Sequence, residues 1–172
     1  MAYGTRHGSA RDIAEHIGST LTEEGHEVDV KRTSKSIAVD DYDLIVIGSG
    51  IQVGSWTKEA KNFLRLNSSS LKWKATAIYV SCGDVLEEEK REESYKKYLL
   101  DPAEKNGLEP VAYGFFGGTF DFTGKRGFMY NMFMKMIKSD FEKKGIPTEG
   151  IYDFRDWDAI TEWTKTLSNV IQ

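Results

Sequence analysis

Apolar and polar positions follow one another along this chain in blocks of changing period. From Ser9 to about Glu24 the apolar residues Ile13, Ala14, Ile17 and Leu21 recur at helical spacing, predicting an amphipathic helix that ends at Gly25. Glu27 to Arg32 alternates like a short strand, with Val28 and Val30 on one face. The uninterrupted apolar run Leu44 to Ile47 suits a strand buried on both faces of a parallel sheet, and Gly48 breaks it. A helix over about Thr57 to Leu66 follows, then a second apolar run, Ala75 to Val80, and a charged helix from roughly Leu86 to Leu100. Val111 to Gly118 forms the last main strand. Asp156 precedes Trp157, Ile160, Trp163 and Leu167 as the N-cap of a closing amphipathic helix.

Strands alternating with helices predict an α/β fold: a doubly wound, mainly parallel sheet with helices on both faces, binding its ligand at the carboxyl ends of the strands. Three loops fall at such ends, and all are small, glycine-bearing and hydroxyl-bearing. The first is Thr5, Arg6, His7, Gly8, Ser9 and Ala10, running straight into a helix, where backbone N–H groups and the hydroxyls of Thr5 and Ser9 can surround one terminal phosphate. The second runs from Gly48 to Trp56 and offers Ser49, Gly50, Ile51, Gln52, Val53, Gly54 and Trp56. The third is Ser81, Cys82, Gly83 and Asp84. Convergence of the three on one phosphorylated, planar ligand is the expectation. Only Met1 and Ala2 precede Tyr3, and Met1 to Gly4 can extend about 13 Å. The first strand is therefore expected to be short, or truncated relative to its relatives.

Composition narrows the field. A chain of 172 residues, 40% hydrophobic and 29% charged, fits one compact domain over residues 1–172, with a core that needs no disulfide. Cys82 is the only cysteine, and no signal peptide or long apolar run appears, so a soluble cytoplasmic protein is expected. A net charge of −4 argues against nucleic acid as the main partner. The first loop lacks the Gly-Lys-Ser/Thr ending of a nucleoside triphosphatase. GSGIQVG, residues 48–54, follows the third strand instead of the first and has its third glycine one residue late for a dinucleotide fingerprint. A receiver domain would need an aspartate where Gly48 and Ser49 stand.

Taken together, the hydroxyl-bearing first loop, DYDLIVIGSG, SCGD and the DWDAITEW helix make the chain resemble the flavodoxin-like FMN proteins over nearly its whole length. That resemblance implies a three-layer fold of strand order 2-1-3-4-5 and FMN held by the three loops, with the electron chemistry carried by the cofactor. The segment from about 117 to 155 looks like the helical insertion of the menaquinone-dependent protoporphyrinogen oxidases, with KRGFMYNMFMKMIK as the matching piece, whereas SCGD is closer to electron-carrier flavodoxins. The first branch implies oxidation of an apolar tetrapyrrole, protoporphyrinogen IX, with a quinone as acceptor. The second implies one-electron transfer to docking redox partner proteins. A flavin-free interaction module on the same fold is a third reading.

Several residues carry a plainer reading beside the functional one. Trp56 either stacks on the flavin ring or packs on the core, and Arg6 and His7 either offset phosphate charge or face solvent. Cys82 is expected to be a structural loop residue, His16 and His26 surface residues, and the acidic run Asp84 to Glu93 a solvated helix face. Between Gly124 and Gly145 six basic residues, Lys125, Arg126, Lys135, Lys138, Lys143 and Lys144, stand against Asp140 and Glu142. The same segment holds four of the five methionines, apolar around most of a helix. Burial under the insertion stands there beside a surface for an apolar substrate, for a second subunit, or for peripheral contact of residues 125–138 with the inner face of a membrane.

Overall fold

The computed structural model describes residues 1–33, 37–123, 127–143 and 145–171, with all of their side chains except those at 129, 133, 136 and 140. The chain order is β1 (Ala2–Gly4), α1 (Ser9–Glu23), β2 (Lys31–Arg32), β3 (Leu44–Gln52), β4 (Ser55–Trp56), α2 (Lys58–Leu71), β5 (Ala75–Ser81), α3 (Glu88–Tyr95), α4 (Asp101–Lys105), β6 (Ala112–Phe116), β7 (Thr119–Asp121), α5 (Phe128–Lys143), β8 (Ile151–Asp153) and α6 (Trp157–Ser168). The main strands lie parallel in the order β2-β1-β3-β5-β6, the doubly wound arrangement that the alternating pattern predicts.

Each helix layer buries one stripe against the sheet. Ile13, Ala14, Ile17 and Leu21 of α1 pack with Ile160 and Leu167 of α6 over Val46, Ala77 and Tyr79. On the other face Ala60, Phe63, Leu64 and Leu71 of α2 meet Ile45, Ile47, Ile78 and Val80. The N-caps are those expected from side-chain chemistry: Thr57 accepts from the Ala60 N–H and Asp156 from the Ala159 N–H. His16 bonds Thr161, and His26 bonds Ser168, each joining the first helix or the turn after it to the last.

β1 is short, as expected, and its length limits its neighbours. It pairs only Ala2 and Tyr3 with Lys31 and Arg32, so the alternating run from Glu27 contributes just two residues to the ladder. Val28 and Val30 still face the core of α1 and α6. On the other side β1 reaches only Ile47 to Ser49, while Leu44 to Val46 pair with β5 alone. A cavity of about 420 Å³, lined by Met1, Val28, Leu44 and Val46 among others, continues the line of β1 toward its amino end. The Met1 ammonium enters this space and donates to the Asp29 carbonyl at 2.8 Å.

The charged helix departs from its predicted single run. Between α3 and α4 the chain takes one wide π-type turn, Lys96–Leu100. Pro102 has no N–H to offer the Tyr98 carbonyl four residues earlier, and the Trp56 indole donates to that carbonyl at 2.8 Å instead.

The insertion leaves the sheet after Gly118 and returns at Phe154, whose N–H donates to the Gly118 carbonyl at 3.0 Å. Between these points β7 and β8 pair antiparallel, and α5 packs on them through a small aromatic core of Phe120, Tyr130, Met134 and Phe141. Arg155 bonds Asp153 and reaches Asp12 in the first turn of α1 at 2.9 Å, which ties the returning chain to α1. Among the described residues no helix is long and apolar enough to cross a membrane.

Candidate functional site

The carboxyl ends of β1, β3 and β5 open on one cleft of about 270 Å³. All three predicted loops reach it: Thr5, Arg6, His7, Ser9 and Ala10 from the first, Gly50 to Gly54 from the second, and Ser81 to Asp84 from the third.

The first loop is built around Gly8. Its φ of +103° lies in the left-handed region, and its N–H donates to Thr5 Oγ1 at 2.9 Å while its carbonyl accepts from the Arg11 and Asp12 N–H groups. The Thr5 hydroxyl thus accepts from the loop and keeps its own proton to donate. Ser9 Oγ accepts from the Thr119 N–H at 3.1 Å and likewise keeps a proton. The N–H groups of Ser9 and Ala10 open α1 and have no acceptor within that helix. A left-handed glycine, two hydroxyl donors and a helix N-terminus suit a phosphate dianion in both charge and hydrogen bonding.

Gln52 joins the first loop to the second. Arg6 Nη1 donates to Gln52 Oε1 at 2.8 Å, and Gln52 Nε2 lies 3.0 Å from His7 Nε2. Arginine only donates, so the amide oxygen faces Arg6 and the amide nitrogen donates to an unprotonated His7 Nε2. The His7 ring in turn packs on Tyr130 of α5, with centroids 4.3 Å apart.

Three predicted residues support the cleft instead of lining it. Gly8 shapes the turn, as above. Ser49 is fully buried; its Oγ accepts from the Thr57 N–H at 3.0 Å and donates to the Gly50 carbonyl, holding the second loop to the start of α2. Trp56 belongs to the core beneath α2, and its indole N–H is committed to Tyr98, so it has no ring face in the cleft. Of the two positions expected for Trp56 the structure shows the packed one, with the buried indole on the carbonyl that Pro102 cannot bond.

Cys82 lies in the cleft wall as a buried thiol whose Sγ accepts from the Asp84 N–H. Burial pushes its pKa up to about 12, so it is a protonated packing residue and not a nucleophile. Asp84 accepts from Ser94 Oγ at 2.7 Å. The acidic run divides: Asp84 and Glu87 stand on the cleft with Lys90, while Glu88, Glu89, Glu92 and Glu93 face solvent. Tyr98 also lines the cleft, its pKa raised by burial and then by Asp84.

The far wall was not legible from the strand-end rule. Gly118, Thr119 and Phe120 enter from the start of the insertion, and Tyr130, Met134, Ile137 and Phe141 from one face of α5. Their spacing of four, three and four residues is a helical stripe, and this signal could have separated a cleft-facing side of the methionine-rich segment from its outer side. Phe128 and Met132, on that outer side, are exposed. The segment is thus both buried and open, on different faces. Lys125, Arg126 and Lys144, together with the side chains of Met129, Phe133 and Met136, lie outside the described residues.

With the hairpin strand β4 set aside, the order β2-β1-β3-β5-β6 is that of the flavodoxin-like doubly wound sheets, with the three loops at its switch point. The model of the flavodoxin domain matches residues 1–145, and the chain belongs to this family; it is an FMN-binding redox flavoprotein. The protoporphyrinogen IX dehydrogenase [quinone] of Escherichia coli (strain K12) is 22% identical over 175 residues, covering 99% of this chain and 94% of that protein. Oxidised flavodoxin 1 from Bacillus cereus superposes with a TM-score of 0.51 at 20% identity, covering 80% of this chain and 95% of that one. The rubredoxin oxygen:oxidoreductase of the anaerobe Desulfovibrio gigas gives 0.52 at 14% identity; 99% of this chain matches, spanning 34% of that protein.

Proposed function

We propose that Thr5, Ser9 and the N–H groups at the start of α1 hold the FMN phosphate, that the loops at Gly50–Gly54 and Ser81–Asp84 flank the ring, and that this chain oxidises protoporphyrinogen IX with a quinone as acceptor. The observation that carries the reading is the apolar wall of Tyr130, Met134, Ile137 and Phe141, which α5 adds beside the three strand-end loops. A carrier serving only protein partners needs no such wall, and an apolar macrocycle or quinone gains from it by leaving water. Bound FMN supplies the capacity to accept two electrons from a donor and pass them on. The protein's own part is to fix the phosphate end, to exclude water from the α5 side, and to keep Cys82 protonated and inert. Electron transfer to a docking protein is the second reading, favoured by the carboxylates of Asp84 and Glu87 at the cleft.

Anaerobic incubation with protoporphyrinogen IX and a soluble quinone tests the proposal. Porphyrin fluorescence should appear with quinone reduction, and a Met134→Ser, Ile137→Ser variant that still retains FMN should lose most of the rate. A protein that takes up FMN but leaves protoporphyrinogen unoxidised, while passing single electrons to a carrier protein, would decide for the second reading.

A further inference from the structure

Helix α2 presents a face to solvent that no part of the site uses. Its inward stripe is Ala60, Phe63, Leu64 and Leu71. On the opposite side Lys58, Lys61, Arg65 and Lys72 recur at intervals of three, four and seven residues, all exposed, and so form one row along the helix. Beside that row stand Leu66, 67% exposed, and Trp73, 89% exposed, seven residues apart and roughly 10 Å along the axis. Trp73 lies between Lys72 and Lys74. The other three tryptophans are buried or half-buried, so the exposure of Trp73 is particular to this surface.

The charge of this face is unbalanced. Residues 57–74 hold five basic side chains and one acidic one, Glu59, in a chain whose net charge is −4. Among the described residues none of the five cations forms an ion pair; Lys61 bonds the Ser55 hydroxyl, and Lys74 the Asp40 carbonyl. An unneutralised basic row beside an exposed tryptophan and leucine is the pattern of a helix lying in a membrane interface, with lysines reaching phosphate headgroups and the indole at the headgroup level.

We propose that the exposed face of α2 docks on an anionic lipid surface. Helix α3, whose Tyr95 packs against the same core as α2, lies in the same layer, so its exposed carboxylates confine the contact to the basic row and the Leu66–Trp73 edge of α2. The apolar edge is only two side chains wide, so the contact is peripheral and reversible, and it depends on charge. It is separate from the outer face of α5 and independent of the redox chemistry proposed above.

The test is co-sedimentation of the full FMN-loaded chain with vesicles of phosphatidylcholine alone and with vesicles half phosphatidylglycerol. Binding to the anionic vesicles should be about tenfold or more tighter and should fall away at about 0.5 M salt. Tryptophan emission should shift to the blue on binding, and Trp73→Phe should remove that shift. The variant Lys61→Gln, Arg65→Gln, Lys72→Gln changes only exposed side chains, so it should keep its FMN and its melting temperature while losing the vesicle preference. A chain that ignores anionic vesicles, a triple variant that binds like the parent, or binding abolished by Phe128→Ser with Met132→Ser but not by the α2 variant would each overturn the proposal. So would retention on immobilised polyglutamate with none on vesicles, which would mean an acidic polypeptide as the occupant.

Discussion

The phenolic hydroxyl of Tyr79, buried in the middle of β5, donates to the carbonyl of Ala10 at 2.6 Å. The ring crosses β3 where Gly48 leaves room: a Cβ at residue 48 would lie 2.0 Å from Tyr79 Cζ. The loop assigned to the phosphate is thus anchored from a strand 69 residues away. Tyr79→Phe should cost about 1–2 kcal/mol, for a lost buried hydrogen bond, and should weaken FMN binding through looser positioning of the α1 terminus. Gly48→Ala should cost more, because the ring has no free space to retreat into. Chemical denaturation and FMN titration of both variants check this.

In the proposed phosphate site Thr5 and Ser9 act directly. Replacing both with alanine should weaken FMN binding by about 2–3 kcal/mol, roughly 30- to 150-fold, at about 1 kcal/mol per hydrogen bond plus the cost of groups left unpaired. Ser9 also holds the Thr119 N–H, so the single Ser9→Ala variant should additionally loosen the start of the insertion. Calorimetric titration of the apoprotein gives the affinity, and an unchanged value would remove the first loop from the site.

Trp56→Phe should behave in the opposite way. It removes the donor to the Tyr98 carbonyl and leaves a gap under α2, so a loss of about 2–4 kcal/mol in stability is expected with little change in FMN affinity at temperatures where the variant is folded. A thermal melt and a flavin titration of the same sample separate the two effects.

Cys82 offers a simple check on the electrostatics of the third loop. With its pKa pushed up to about 12, chiefly by burial, the native thiol should resist alkylation at pH 8 and react only after unfolding. Rapid labelling of the native protein would contradict this.

Much of the architecture was legible because burial on a parallel sheet leaves a strong mark: Leu44–Ile47 and Ala75–Val80 can hardly be anything but inner strands. The loops were legible from glycines and hydroxyls at the ends of those strands. What could not be read was decided by contacts distant in sequence. Trp56 sits at a strand end like a ligand residue, yet Pro102 decides its partner. Glu27–Val30 alternates like a strand, yet β1 is too short to pair with it. The insertion wall depends on how α5 is turned, which the local pattern, apolar on most sides, leaves open.

The amino end of β1 carries its own pH dependence. Burial lowers the Met1 amine from 8.0 to about 6, partly opposed by Asp29. Between those values the unfolded chain binds more protons than the folded one, so stability should rise as pH goes from about 6 to 8, by up to about 2–3 kcal/mol, and level off above. Acetylating the amine should abolish that dependence. Denaturation midpoints of the acetylated and unmodified proteins across this pH range check it, and matching slopes would count against the amine as the cause.

The chain leaves and re-enters the sheet at neighbouring points, Gly118 and Phe154, and between them Phe120, Tyr130, Met134 and Phe141 form a core of their own. Closing that excursion costs entropy only once, at a neck held by a backbone hydrogen bond and by Arg155. A separate core of this kind should let the amides of the lobe exchange before those in the ladders of β3 and β5, which hydrogen exchange would read. One wall of the cleft therefore comes from a segment with a core of its own, joined to the first loop and α1 through Ser9, His7 and Asp12.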